Sequence, residues 1–222
     1  MNVLFIGNAI IDVISHLDEI DQVDPNFIGK MQIVSQKEIN DKIKALSNKK
    51  IVPGGSANNS ACGLAMLEEE VCFIGKIGND HYGKVYLDQN KEQNVETGLM
   101  VVDNKSTTGL SLVYVTPGGE RTMNTFPGAS AELDASDIQK ASFSAISGIF
   151  IEGYILYSRH GLEVISKSIN SVITNKGFIA ISLSDVDCVD RYRVDFLNLI
   201  KSNEINLIFG NKMEMMSLLK VK

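Results

Sequence analysis

Short apolar runs along this chain alternate with longer stretches in which apolar residues recur every three or four positions. Val3–Ile6, Val71–Ile74 and positions 149–151, 178–183 and 205–209 read as buried strands, rich in β-branched and aromatic side chains. Between them, positions 56–67 place Ala61, Leu64 and Ala65 on one helical face. Positions 81–94 and 161–174 are amphipathic in the same way, and 190–201 turn Val194, Leu197 and Ile200 inward. Strand–helix alternation of this kind predicts an α/β fold with a mostly parallel sheet and helices on both faces.

Two stretches break the rhythm. Residues 110–115 alternate, Pro117-Gly118-Gly119 supplies a turn, and Arg121–Phe126 runs back, which predicts a hairpin. Positions 15–34 mix extended pieces with turn residues such as Asp24-Pro25-Asn26. The two regions read either as surface loops or as a small β-lid beside the ligand edge of the sheet, spanning about 13–35 and 105–126. The lid is the preferred expectation. The final stretch from Met213 starts as a helix, with no cap or following strand apparent.

Composition narrows the class. At 222 residues, 44% apolar and 22% charged, the chain can bury one sizeable core. A formal net charge of -6 argues against a nucleic-acid partner, which calls for a basic face. No apolar run is long enough to span a membrane. The apolar start Met1–Ile6 meets Asp12 too soon to be a leader, so cytoplasm is the expected location. Cys62, Cys72 and Cys188 have no metal spacing and sit in apolar surroundings, which suits reduced, buried thiols. His16, His81 and His160 are too scattered for a zinc site.

The chemistry concentrates at glycines. Pro53-Gly54-Gly55-Ser56-Ala57-Asn58-Asn59 stands between a strand and a helix. Paired glycines let the backbone adopt positive φ and let a ligand approach without a Cβ in the way. Helix N-terminal amides then face the same space, and Asn59 offers an amide suited to a sugar hydroxyl. The alternative is a tight turn with Ser56 as N-cap. Asp12 ends the first strand region, where open α/β sheets place ligands, and a carboxylate there can accept two adjacent hydroxyls. It can equally be a solvated loop acid. Gly7-Asn8-Ala9-Ile10-Ile11-Asp12 lacks the second and third glycines of a dinucleotide fingerprint, and no Gly-Lys-Ser/Thr closes a Walker loop. A flavodoxin-like or NAD-binding domain is disfavoured on those grounds.

Taken together, these segments resemble the ribokinase-like (PfkB) kinases of carbohydrates and nucleosides. Gly54, Gly55, Asn59 and Ala61, with Gly78 further on, match the first family signature. Gly75-Lys76-Ile77-Gly78-Asn79-Asp80-His81-Tyr82-Gly83 resembles the G-x-x-G-x-D-x-x-G run after it. Gly7 to Asp12 is similar to the family's opening, Gly119-Glu120-Arg121-Thr122 to its lid hairpin, and Asn211-Lys212-Met213-Glu214 to its N-x-x-E motif. Glu68 departs from the pattern, which prefers Gly or Ser at what should be a surface helix end. Ser182-Leu183-Ser184-Asp185 and Cys188-Val189-Asp190-Arg191 look more like the adenosine-kinase-like branch than ribokinase itself.

The resemblance implies transfer of the ATP γ-phosphate to a hydroxyl of an adenosine-like nucleoside or, next, a sugar such as ribose or fructose. Asp12, Gly54, Gly55 and Asn59 would hold that substrate. Asn211 and Glu214 would order water around Mg²⁺, Glu214 as a water-mediated metal contact. The family's catalytic aspartate and its Gly-Ala-Gly-Asp anion hole belong beyond Lys222, so the expectation is about the first two thirds of a kinase, with the C-terminal part missing and no turnover of its own. An unpaired sheet edge with uncovered apolar surface would follow. A homodimer through the lid is one assembly the resemblance adds. A non-catalytic sugar- or nucleoside-binding module is the alternative.

Overall fold

In a computed structural model, which describes residues 2–18, 28–140, 146–173, 177–202 and 204–221, β1 (Val3–Ile6) lies near the middle of a six-stranded sheet. Its neighbours are β5 (Val71–Ile74) and β11 (Gly148–Glu152), followed outward by β7 (Val95–Glu96) on one side. On the other side lie β12 (Phe178–Ser182) and β13 (Leu207–Phe209), and all pairs are parallel. Every residue of β1 is buried, so its period of two divides side chains between two cores and not between core and water. Leu4 and Ile6 pack with α5 (Gly161–Ile173) and α6 (Val186–Lys201), whereas Val3 and Phe5 share the opposite core with α2 (Ser56–Ala65) and α3 (His81–Glu92).

The second core continues into a five-stranded mixed sheet of order β3–β10–β9–β2–β4. Its strands are β2 (Ile10–His16), β3 (Met31–Ile33), β4 (Lys50–Gly54), β9 (Gly109–Val115) and β10 (Arg121–Phe126). The two stretches that break the strand–helix rhythm therefore do pair with each other, β2 with β9 and β3 with β10. Asp24-Pro25-Asn26 and position 174 lie outside the described residues. A short pair, β6 (Lys76–Gly78) and β8 (Val101–Asp103), completes the strands. The helix α1 (Gln36–Lys44) was not anticipated from the pattern, although Ser35 accepts from the Glu38 amide as its N-cap.

Several sequence expectations are corrected. β9 does not alternate in burial: its first five residues are all buried, and even Ser111 is enclosed, its hydroxyl 3.1 Å from that of Thr125. The helix expected from 190 starts at Val186, capped by Asp185. Tyr192 has non-helical angles within it, and the break in phase sends Val194 outward, 66% exposed, while Phe196 is fully buried. The final helix, α7 (Lys212–Leu219), does carry a cap: Lys220 is left-handed and the Val221 amide returns to the Met216 carbonyl. Glu68 lies on the surface as expected, at φ 63. β13 has β12 as its partner in the sheet and forms an edge on which Leu207 and Phe209 are exposed. None of the described helices is long and apolar enough to cross a membrane.

Candidate substrate site

Asp12 does not end the first strand. It is the third residue of β2, in the mixed sheet, opposite Ser111 on β9 and Val52 on β4. The loop-acid reading fails with that placement. Burial pushes its pKa up to about 6, with the Arg121 guanidinium of β10 opposing. Gly54, at the end of β4, lies so close that a Cβ there would overlap the Asp12 carboxyl group. Among the described residues, Asp12 accepts no side-chain hydrogen bond, although the buried Ser111 and Thr125 hydroxyls beside its strand satisfy one another.

Gly55 is itself the N-cap of α2, not the Ser56 of the alternative reading, and offers no side-chain cap. Its φ of 93 and the Asn8 carbonyl that would collide with any Cβ together require glycine. Asn59 is exposed on the first turn of α2, with its amide bonded to the Gly55 carbonyl. The neighbouring Asn58 is fully buried and its Oδ1 has no partner. Tyr86 of α3, also fully buried, brings its hydroxyl to 3.5 Å from the Gly54 carbonyl.

Asn211 and Glu214 form a capping box at the start of α7: each accepts the other's backbone amide, at 3.0 Å in both directions, and Asn211 Nδ2 donates to Glu214 Oε1 at 2.6 Å. Glu214 is 7% exposed and lines an open cleft of about 500 Å³ with Asn211, Ser56, Ser60, Ser182 and Ser184 over a wall of Phe5, Phe150 and Phe209. The six expected site residues thus fall into two groups joined by the first turn of α2. Asn211 and Glu214 line the cleft; Asp12, Gly54, Gly55 and Asn59 do not. The reason is topological: Asp12 and Gly54 are held by the mixed sheet, whereas the cleft opens over the parallel one.

The Asp80 motif has a structural task. Asp80 caps α3 through the Gly83 amide at 2.8 Å, and its two oxygens take the Thr108 hydroxyl at 2.7 Å and amide at 2.8 Å. It thereby ties α3 to the segment entering β9. The three cysteines are free, and burial raises each thiol, Cys72 to about 11 and Cys188 to about 12, which disfavours thiolate chemistry. Cys62 is only half-buried, with its sulfur 3.6 Å from Asn90 Oδ1.

Sequence reasoning missed Glu152, the last residue of β11. It is 1% exposed, and burial raises its pKa against the pull of four donors. Oε1 accepts from Asn8 N at 3.1 Å and Asn8 Nδ2 at 2.8 Å; Oε2 accepts from Ser56 Oγ at 2.9 Å and Ala57 N at 2.8 Å. The available signal was an acid directly after the apolar run Ile149-Phe150-Ile151, at the carboxyl edge of a parallel sheet.

A parallel sheet flanked by helices and carrying a smaller mixed sheet matches the fold of ribokinase-like kinase structures. The chain matches the model of the pfkB family carbohydrate kinases over residues 3–222, and it belongs to that family. It superposes over 100% of its length on the adenosine kinase of Sinorhizobium meliloti, with a TM-score of 0.90, 28% identity and 68% of that chain covered. The probable sugar kinase protein of Rhizobium etli gives a TM-score of 0.91 at 28% identity, over 100% of this chain and 67% of that one. Among curated relatives, a Clostridium botulinum 5-dehydro-2-deoxygluconokinase is 27% identical over 165 residues, 72% of this chain and 48% of the relative. The probable fructokinase-7 of Arabidopsis thaliana is 36% identical over 99 residues, 41% of this chain and 29% of the relative. The chain therefore spans less than half the length of these two curated relatives.

Proposed function

We propose that this chain forms the substrate-holding part of an ATP-dependent phosphotransferase acting on a hydroxyl of an adenosine-like nucleoside or a sugar. The observation that carries the reading is Asp12: a mostly buried carboxylate without a side-chain hydrogen bond among the described residues, pressed against Gly54. Such a group gains most from two ligand hydroxyls, which supply the hydrogen bonds that burial has removed. Gly55 and Asn59 extend the same site, and the mixed sheet acts as its lid, excluding water that would otherwise compete for the phosphoryl group.

ATP would supply the phosphoryl group, and Mg²⁺ would offset its charge. The residues present fit a hydrated ion contacted through water. Glu214 reaches the cleft wall with one bond on each oxygen and lone pairs remaining, and no set of three ligating side chains converges among the described residues. No Gly-Ala-Gly-Asp sequence occurs in residues 1–222, so binding without transfer is the expected behaviour of this chain alone. The second reading, a non-catalytic nucleoside- or sugar-binding module, shares the Asp12 site and differs only in the transfer step.

Thermal shift with adenosine, ribose and fructose tests the substrate class. Adenosine should raise the melting temperature, the free sugars less, and Asp12→Ala should abolish the response. No response to any of the three would sink the reading. ADP release with adenosine, ATP and Mg²⁺, measured after a relative's C-terminal region is fused to the chain, separates the two alternatives, since a binding module produces none. Sedimentation equilibrium of the same preparation tests the homodimer through the lid.

A further inference from the structure

The chain crosses from the parallel to the mixed sheet through residues 7–9, between β1 and β2, and returns through Gly55, between β4 and α2. One side chain holds both crossings. Oε1 of Glu152 takes the two donors of Asn8 on the outward crossing, and Oε2 takes Ser56 Oγ and Ala57 N on the return. Glu152 itself belongs to neither segment: it is fixed at the end of β11, paired with Ser182 of β12, deep in the parallel sheet. An ionised carboxylate has the acceptor capacity for all four donors, whereas an amide would turn an NH₂ toward one pair.

We propose that Glu152 is a positioning residue that sets the mixed sheet against the parallel one and so aligns the Gly54–Gly55 turn with Asp12. The geometry gives it that reach. Asn8 lies against Gly55, whose missing Cβ its carbonyl would otherwise meet, and Asp12 lies against Gly54. A displacement of either crossing therefore moves one side of the Asp12 site against the other. The ionised form also places negative charge at the N-terminus of α2, where the helix dipole favours it and no side-chain cap is present.

Amide hydrogen exchange on Glu152→Gln is the test. Exchange at whichever of Asn8 and Ala57 faces the new NH₂ should accelerate by at least about tenfold, the scale expected for losing a hydrogen bond to a charged acceptor. Amides within β1 and β11 should stay within about twofold of the parent chain, because those ladders are unaltered. Uniform acceleration throughout the parallel sheet would mark Glu152 as a general structural residue and overturn the proposal, as would no change at Asn8 and Ala57. If Glu152→Gln does not fold, Asn8→Ala serves instead: loss of its Nδ2 donor on one crossing should speed exchange of the Ala57 amide on the other, and an unchanged Ala57 amide overturns the coupling.

A second arm rests on the proposed function. Adenosine affinity should fall about tenfold in Glu152→Gln, again the scale of one charged hydrogen bond, with the mixed-sheet ladder intact by exchange. Unchanged affinity would refute the link to the Asp12 site. Absence of adenosine binding in the parent chain would count against the proposed function and leave the exchange comparison to decide the positioning role.

Discussion

Replacing Asp12 by Asn should make this protein more stable at neutral pH while removing its affinity for a hydroxyl ligand. Burial lifts the Asp12 pKa from 3.8 to about 6, so the fold disfavours the charged form. At ~1.4 kcal/mol per pH unit, that displacement costs the ionised native state about 2–3 kcal/mol. The sign follows from proton uptake. Between pH 3.8 and about 6 the native chain binds the Asp12 proton more tightly than the unfolded chain does. The contribution is therefore fully favourable below about pH 4, and it is lost as pH rises through about 6. Asparagine carries no charge, so the variant escapes this loss. Urea unfolding of both proteins at pH 4, 5, 6 and 7.5 isolates the effect, because every other titrating group cancels in the difference. The variant should match the parent near pH 4 and exceed it by about 2 kcal/mol at pH 7.5, the difference growing mainly between pH 4 and 6. A pH-independent difference, or a variant weaker at pH 7.5, would show that Asp12 is satisfied in the fold and refute the reasoning. Gain of stability with loss of binding is the pattern of a residue kept for function at a structural cost.

Two further substitutions probe the turn geometry. Gly55→Ala must place a Cβ against the Asn8 carbonyl at a φ of 93, and should cost about 2 kcal/mol or more in urea melts; a neutral result would mean that the turn has another accessible conformation. Glu68→Gly should stabilise by about 0.5–1 kcal/mol in the same assay, since it relieves a left-handed non-glycine residue and removes a carboxylate from the C-terminal end of α2; a loss of stability would contradict that assignment.

The parallel sheet was legible because β1 and β5 are continuous apolar runs and β11 carries one in Ile149-Phe150-Ile151, the form that burial on both faces of a sheet takes. Asn211 and Glu214, read from the sequence as an N-x-x-E motif at a helix start, also cap α7 reciprocally, which that reading did not anticipate. Tertiary context hid the rest. The phase of α6 could not be followed past Tyr192, because a single non-helical residue rotates everything after it. The role of β4 in the mixed sheet was invisible, since Ile51-Val52-Pro53 is too short and too ambiguous to name its partner. Asp12 was misplaced for a related reason. Only three residues separate β1 from β2, and the chain changes sheets within them.

The motif acids show why spacing alone does not separate chemistry from architecture. Asp80, Asp185, Glu214 and Glu152 all stand at helix starts or strand ends, and each accepts hydrogen bonds from neighbouring backbone or side-chain donors at between 2.6 and 3.1 Å. Those bonds tie the four side chains into the framework. Asp12 is mostly buried without such bonds, and burial raises its pKa to about 6. That the fold satisfies these four acids with its own donors and leaves Asp12 without a side-chain donor is what supports the ligand role proposed for Asp12.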